Sequence, residues 1–101
     1  MRIMIMFDLP IDSDREKREY TKFRRYLIKE GFIMMQKSVY TKLAINQTTT
    51  TLIRNRLEKN LPQYGLVQVL VITEKQFASI QNLVGCIFHS EMDSTERLIL
   101  L

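Results

Sequence analysis

FIMMQKSVYTKL, residues 32–43, is the stretch on which the fold turns. It is strand-like throughout, with Ile, Val, Phe and Tyr at pleat spacing. Two readings fit it: one bent strand, or two short strands hinged near Gln36-Lys37-Ser38. Alternation puts Ile33, Met35 and Val39 on one face and Phe32, Met34, Ser38 and Tyr40 on the other. If the segment counts as two strands, the element order becomes β-α-β-β-α-β.

Working outward, RIMIMFD (2–8) reads as a buried strand stopped by Leu9-Pro10. Ser13 followed by Glu16 predicts a capping box, a helix from about Asp14 to Glu30, and a stop at Gly31. Asp12 is then a turn or helix-entry residue. Asn46 is the expected N-cap of a second helix carrying Leu52, Ile53 and Leu57 and ending near Asn60. GLVQVLVIT (65–73) has one polar interruption, Gln68, and is expected to be a central strand covered on both faces. EKQFASI (74–80) reads as a short helix, and Leu83–Phe88 has the content of a short strand. HSEMDST (89–95) is a loop, and RLILL (97–101) a terminal strand.

Under the two-strand reading this is an α+β chain: a single ferredoxin-like sandwich over residues 1–101 with a strand appended at its end. Helices cover one sheet face. Met4, Met6, Met34 and Leu70 are poor solvent residues, so the other face calls for a second copy of the chain, a homodimer. RLILL as an open edge would invite aggregation, and pairing with a partner chain is the expected remedy.

The chain has 101 residues, 46% of them hydrophobic, which suits one small domain with a real core. Cys86, the only cysteine, excludes an internal disulfide and a cysteine-based metal knuckle, and is expected in the core. No signal peptide and no bilayer-length apolar run is apparent, so the expected setting is cytoplasmic, with no membrane partner.

Net charge is +4, yet residues 15–29 alone hold seven basic side chains against two acids. That local excess of +5 leaves the rest slightly acidic, the footprint of a polyanion binder. Arg15, Arg18, Lys22, Arg25 and Lys29 step by three, four, three and four, so one helix face carries all five. Tyr20, Phe23 and Leu27 occupy a different face. Cations aligned this way repel unless phosphates meet them. A dimer would present two such helices to a duplex. No aromatic platform for single strands is apparent.

Asp8 ends the first strand. It can bond turn amides, or it can ligate a divalent ion; Mg²⁺ commonly takes one or two carboxylates plus water. One aspartate per chain is a poor site, and two across a dimer axis an adequate one. His89, the only histidine, lies in the polar loop far from Asp8 in sequence.

MFDLP closing the first strand, a basic helix ending in EGF, QKSVYTKL, EKQF and ERLILL together resemble the CRISPR-associated Cas protein two family, in the form accompanying type II systems. The resemblance spans essentially the whole chain. It implies a ferredoxin-like homodimer acting in spacer acquisition, binding foreign duplex DNA and bridging two dimers of the CRISPR integrase. It also implies Mg²⁺-dependent endonuclease activity on RNA or double-stranded DNA. Carried over to this chain, the family's catalytic and metal-binding aspartate is Asp8, one from each subunit sharing the ion. Its phosphate contacts match Arg15, Arg18, Lys22 and Arg25 best. Ser38 and Tyr40 match the strand motif, with a supporting part in cleavage or dimer packing. The chain stops on RLILL with no polar tail, a departure that leaves a truncated C terminus open.

Two functions therefore stand side by side: a metal-dependent nuclease and a non-catalytic nucleic-acid-binding scaffold. The scaffold is the expected biological role, with any cleavage slow or conditional. A small-molecule regulatory domain has no Gly-rich or polar pocket signature to support it.

Overall fold

The computed structural model describes residues 1–85. Its elements run β1 (Arg2–Asp8), α1 (Asp14–Glu30), β2 (Ile33–Gln36), β3 (Val39–Leu43), α2 (Gln47–Glu58), β4 (Leu66–Ile72) and α3 (Glu74–Ala78). The order is β-α-β-β-α-β followed by a short helix. The sheet reads β2-β3-β1-β4, with every neighbouring pair antiparallel. This is the ferredoxin-like α+β arrangement.

The stretch 32–43 is two strands. Lys37 and Ser38 make the turn between them, and the Phe7 amide donates to the Ser38 carbonyl at 3.0 Å, tying that turn to β1. Ile33 sits opposite Thr41 and Met34 opposite Tyr40, but Gln36 then faces Val39. Met35 is the extra residue of a bulge, so the expected alternation breaks there. Met34 lies on the side of Tyr40, as the alternation puts it, at the outer edge of β2 and 52% exposed, and so does not share the face of Met4 and Met6 on which it was expected.

β1 is the central strand, and its burial alternates. Ile3, Ile5 and Phe7 are buried under the helices, where they meet Phe23 and Leu27 of α1 and Ile53 and Leu57 of α2. Phe7 is ringed by Phe23 (5.3 Å, edge-on), Tyr40 (5.7 Å, stacked) and Tyr20 (6.0 Å). Met4 and Met6 point the other way. They share that face with Ile33, Leu43, Leu66 and Leu70, all of them exposed.

β4 departs from expectation. It flanks β1 at the edge of the described sheet, covered by helices on one face only. Val67 and Val71 reach the core, whereas Leu66, Val69 and Leu70 are exposed. A continuous apolar run cannot distinguish a strand covered on both faces from one whose second face the described residues leave bare. The strand expected at 97–101, the loop expected at 89–95, Cys86, His89 and residues 86–88 of the strand expected at 83–88 lie outside the described residues, while residues 83–85 form no strand.

Local signals in the helices behave as expected. Ser13 and Glu16 form the capping box, and Gly31 ends α1 at φ 105°. Asn46 caps α2 through a 2.9 Å bond from the Thr49 amide. Thr73 and Gln76 cap α3, which Arg2 fastens to the sheet by a bidentate pair with Glu74 (2.7 and 2.9 Å) and by lying over the Phe77 ring.

The end of α1 is held by one acid. Glu30 accepts two bonds from Arg56 of α2 (2.9 and 2.7 Å) and one from the Tyr26 hydroxyl (3.0 Å), with the Lys42 amine 3.6 Å away. Lys42 also donates to the Glu30 carbonyl, satisfying an orphan acceptor of the helix end. Arg56 is the main cause that brings the Glu30 carboxyl down to about 2, and burial, then Glu30, pushes the Tyr26 hydroxyl up to about 12. A carboxyl lowered by folding stabilises the protein above its unfolded value and loses that contribution as pH falls toward the folded one. Arg56 remains half in water, which screens the pair, so its loss costs only a modest deficit in stability. Urea unfolding of Glu30→Gln should show that deficit at pH 7, and the gap to the parent should close between pH 4.5 and about 2.

Candidate functional site

Asp8 is exposed at the C-terminal end of the central strand, on the sheet face of Met4 and Met6. Its position is set by its neighbours. Phe7 is locked among aromatic rings, Leu9 is buried, and Leu66 pairs with Asp8 across the ladder. The preceding Gly65 has φ +96°, and a Cβ there would lie 2.7 Å from the Asp8 carbonyl oxygen and 2.7 Å from Leu9 Cδ2. Only glycine lets β4 start this close to Asp8.

Among the described residues no cation lies within ion-pairing distance of Asp8, and no three His, Cys, Asp or Glu side chains form a metal-holding group. The described residues of one chain thus supply a single outward carboxylate at this strand end. That does not complete a Mg²⁺ site, but it fits half of one whose other half comes from a second copy.

Ser38 and Tyr40 part company. The Ser38 turn lies beside the Phe7–Asp8 end of β1, at the same end of the sheet as Asp8. Tyr40 is fully buried on the opposite face, stacked on Phe7, with its hydroxyl accepting from Arg24 Nε at 2.9 Å. It can act on Asp8 only through the packing of Phe7.

All five stripe residues of α1 are exposed. Arg18, Lys22 and Arg25, with Lys17 and Thr21, border an open surface depression. Lys29 continues the face toward the helix end. None of these cations pairs with an acid among the described residues. Arg15 is different: its Nη2 donates to Gln63 Oε1 at 3.1 Å, and its guanidinium lies 5.9 Å from the Tyr64 ring centroid. Glu19 Oε1 accepts from the Gln63 amide at 3.2 Å. Sequence reasoning overlooked Gly65, Gln63 and Arg24. Gly65 alone carried a local signal, a glycine opening an apolar strand; the other two act through contacts distant in sequence. Among the described residues no helix is long and apolar enough to cross a membrane.

A ferredoxin-like domain that pairs a cationic helix with a lone acid at its central strand end is thus defined. The family model described as CRISPR associated protein Cas2 matches residues 1–80. A Treponema denticola protein named CRISPR-associated endoribonuclease Cas2 is 46% identical over 101 residues, the full length of both chains. A Ligilactobacillus salivarius protein of the same name is 45% identical, again covering 100% of each. The crystal structure of Streptococcus pyogenes Cas2 at pH 6.5 superposes with a TM-score of 0.63 at 12% identity, covering 83% of this chain and 100% of that one. That likeness speaks for the fold. This chain belongs to the CRISPR-associated Cas2 family.

Gly65→Ala should lower stability by about 2 kcal/mol, since both the positive φ and the approach to Asp8 forbid a side chain. Thermal unfolding measures it, and a two-dimensional NMR spectrum should place the largest shifts at residues 7–9 and 64–67.

Proposed function

We propose that this chain is a CRISPR adaptation subunit, a homodimer that binds duplex DNA, bridges two integrase dimers, and cleaves phosphodiesters in RNA or DNA with Mg²⁺. The observation that carries this reading is the outward Asp8 on the apolar sheet face that the helices among the described residues leave uncovered. A second copy over that face covers Met4, Met6 and Leu70 and brings another Asp8 to the site. The relatives named endoribonuclease support the cleavage, and the family supports the adaptation role.

In this reading the two Asp8 carboxylates would hold the ion, which would supply Lewis-acid polarisation of a phosphodiester and a more acidic bound water. Arg18, Lys22, Arg25 and Lys29 hold the strand by its phosphates, without reading bases. The Ser38 turn supports the end of β1, and Tyr40 supports it from beneath through Phe7. RLILL pairs with a partner chain, the 101 residues form one domain, and the setting is the cytoplasm.

The sparse chemistry around Asp8 favours the non-catalytic scaffold as a second reading, with cleavage slow or dispensable. Asp8→Asn should reduce Mg²⁺-dependent RNA cleavage by on the order of 100-fold with RNA affinity unchanged. Spacer integration in the presence of the integrase, assayed on the same variant, separates the readings: persistence favours the scaffold, and loss in a variant that still dimerises excludes it. Charge reversal at both Arg18 and Lys22 should weaken duplex binding and flatten its salt slope by about two. An unchanged slope would remove the stripe from the interface.

A further inference from the structure

We infer that Glu19 and Gln63 form a positioning clamp for Asp8, an inference that rests on the proposed role of Asp8 in cleavage. The segment 61–65 has no regular structure, yet Gln63 is pinned through both its backbone amide and its side-chain oxygen. Its backbone amide donates to Glu19 Oε1 (3.2 Å), and its side-chain oxygen accepts from Arg15 (3.1 Å), one helical turn earlier on α1. Tyr64 lies beneath the Arg15 guanidinium, and Gly65 follows, packed so close to Asp8 and Leu9 that a Cβ on it would lie 2.7 Å from the Asp8 carbonyl oxygen. Movement at Gln63 therefore passes directly to the backbone of Asp8.

The circuit closes through α1 itself. Phe23 and Tyr20 hold Phe7, so both sides of Asp8 are referred to one helix: its N-terminal side through Phe7, its C-terminal side through Gly65 and Gln63. A carboxylate that must share an ion with a second subunit tolerates little positional error, because misplacement of a supporting group costs about 10–100-fold in metal affinity or activity. Glu19 also carries an electrostatic signature. An acid beside phosphate-binding cations weakens RNA binding, so removing it strengthens binding whether or not the clamp exists. Only the clamp makes turnover fall at the same time.

The experiment compares Glu19→Ala with Glu19→Gln in the full chain. The glutamine lacks the charge but keeps an oxygen able to accept the Gln63 amide. The expected result is a kcat for Mg²⁺-dependent RNA cleavage about tenfold lower in Glu19→Ala, with KM equal or reduced, and restored in Glu19→Gln. Amide hydrogen exchange without metal should be faster over residues 7–9 and 63–66 in the alanine variant alone. Unchanged kcat and exchange in Glu19→Ala overturn the clamp, as does a glutamine variant that fails like alanine. Wild-type cleavage by Asp8→Asn would overturn the reading of Asp8 and with it the catalytic use of the clamp. Exchange would still decide the clamp itself.

Discussion

The packing of Phe7 among Phe23, Tyr20 and Tyr40 is the contact on which the rest depends. It joins the middle strand of the sheet to the first helix at the point where the strand ends. Because a strand sends successive side chains to opposite faces, burying Phe7 obliges Asp8 to face outward. The acid's exposure follows from its neighbour's burial. The same contact fixes the roll of α1: with Phe23 and Leu27 turned inward, Arg18, Lys22 and Arg25 turn to solvent.

Much of this was legible in the residues. The capping box at Ser13, the stop at Gly31 and the cap at Asn46 are local chemistry, and each sits where spacing puts it. The strand pattern of residues 2–8 likewise needs only its own alternation. What escaped the sequence was relational. Whether β4 lies at the centre or the side of the sheet depends on β1, which precedes it by more than fifty residues. The Met35 bulge puts Gln36 on the same face as Ile33, and no single-strand pattern announces it. Tyr40 fits the family's strand motif, yet its parity and the Phe7 stack place it in the core, away from the Asp8 carboxylate. Glu19 and Arg15, adjacent on a helix wheel to the exposed cations of α1, bond to a loop that lies 44 and 48 residues on.

Charge is distributed with a division of labour. Glu30 gathers Arg56, Lys42 and Tyr26 into a partly buried knot that locks α1, α2 and β3 together. Arg2 and Glu74 do the same for α3. Most acids in the described residues that meet cations do so at the joints of the fold. The outer face of α1 is left cationic, and a polyanion would meet it without first displacing an internal partner.

The strand order also governs how the molecule comes into being. β1 is made first, yet it pairs only with strands that begin at Val39 and Leu66. Until the chain has been built through Ile72, the central strand lacks one of its two neighbours. Contacts this far apart in sequence make closure, rather than helix formation, the slow event. A ribosome-bound chain would therefore hold α1 and the β2–β3 hairpin early and seat its acidic strand end late, when the residues around Gly65 arrive to fix it.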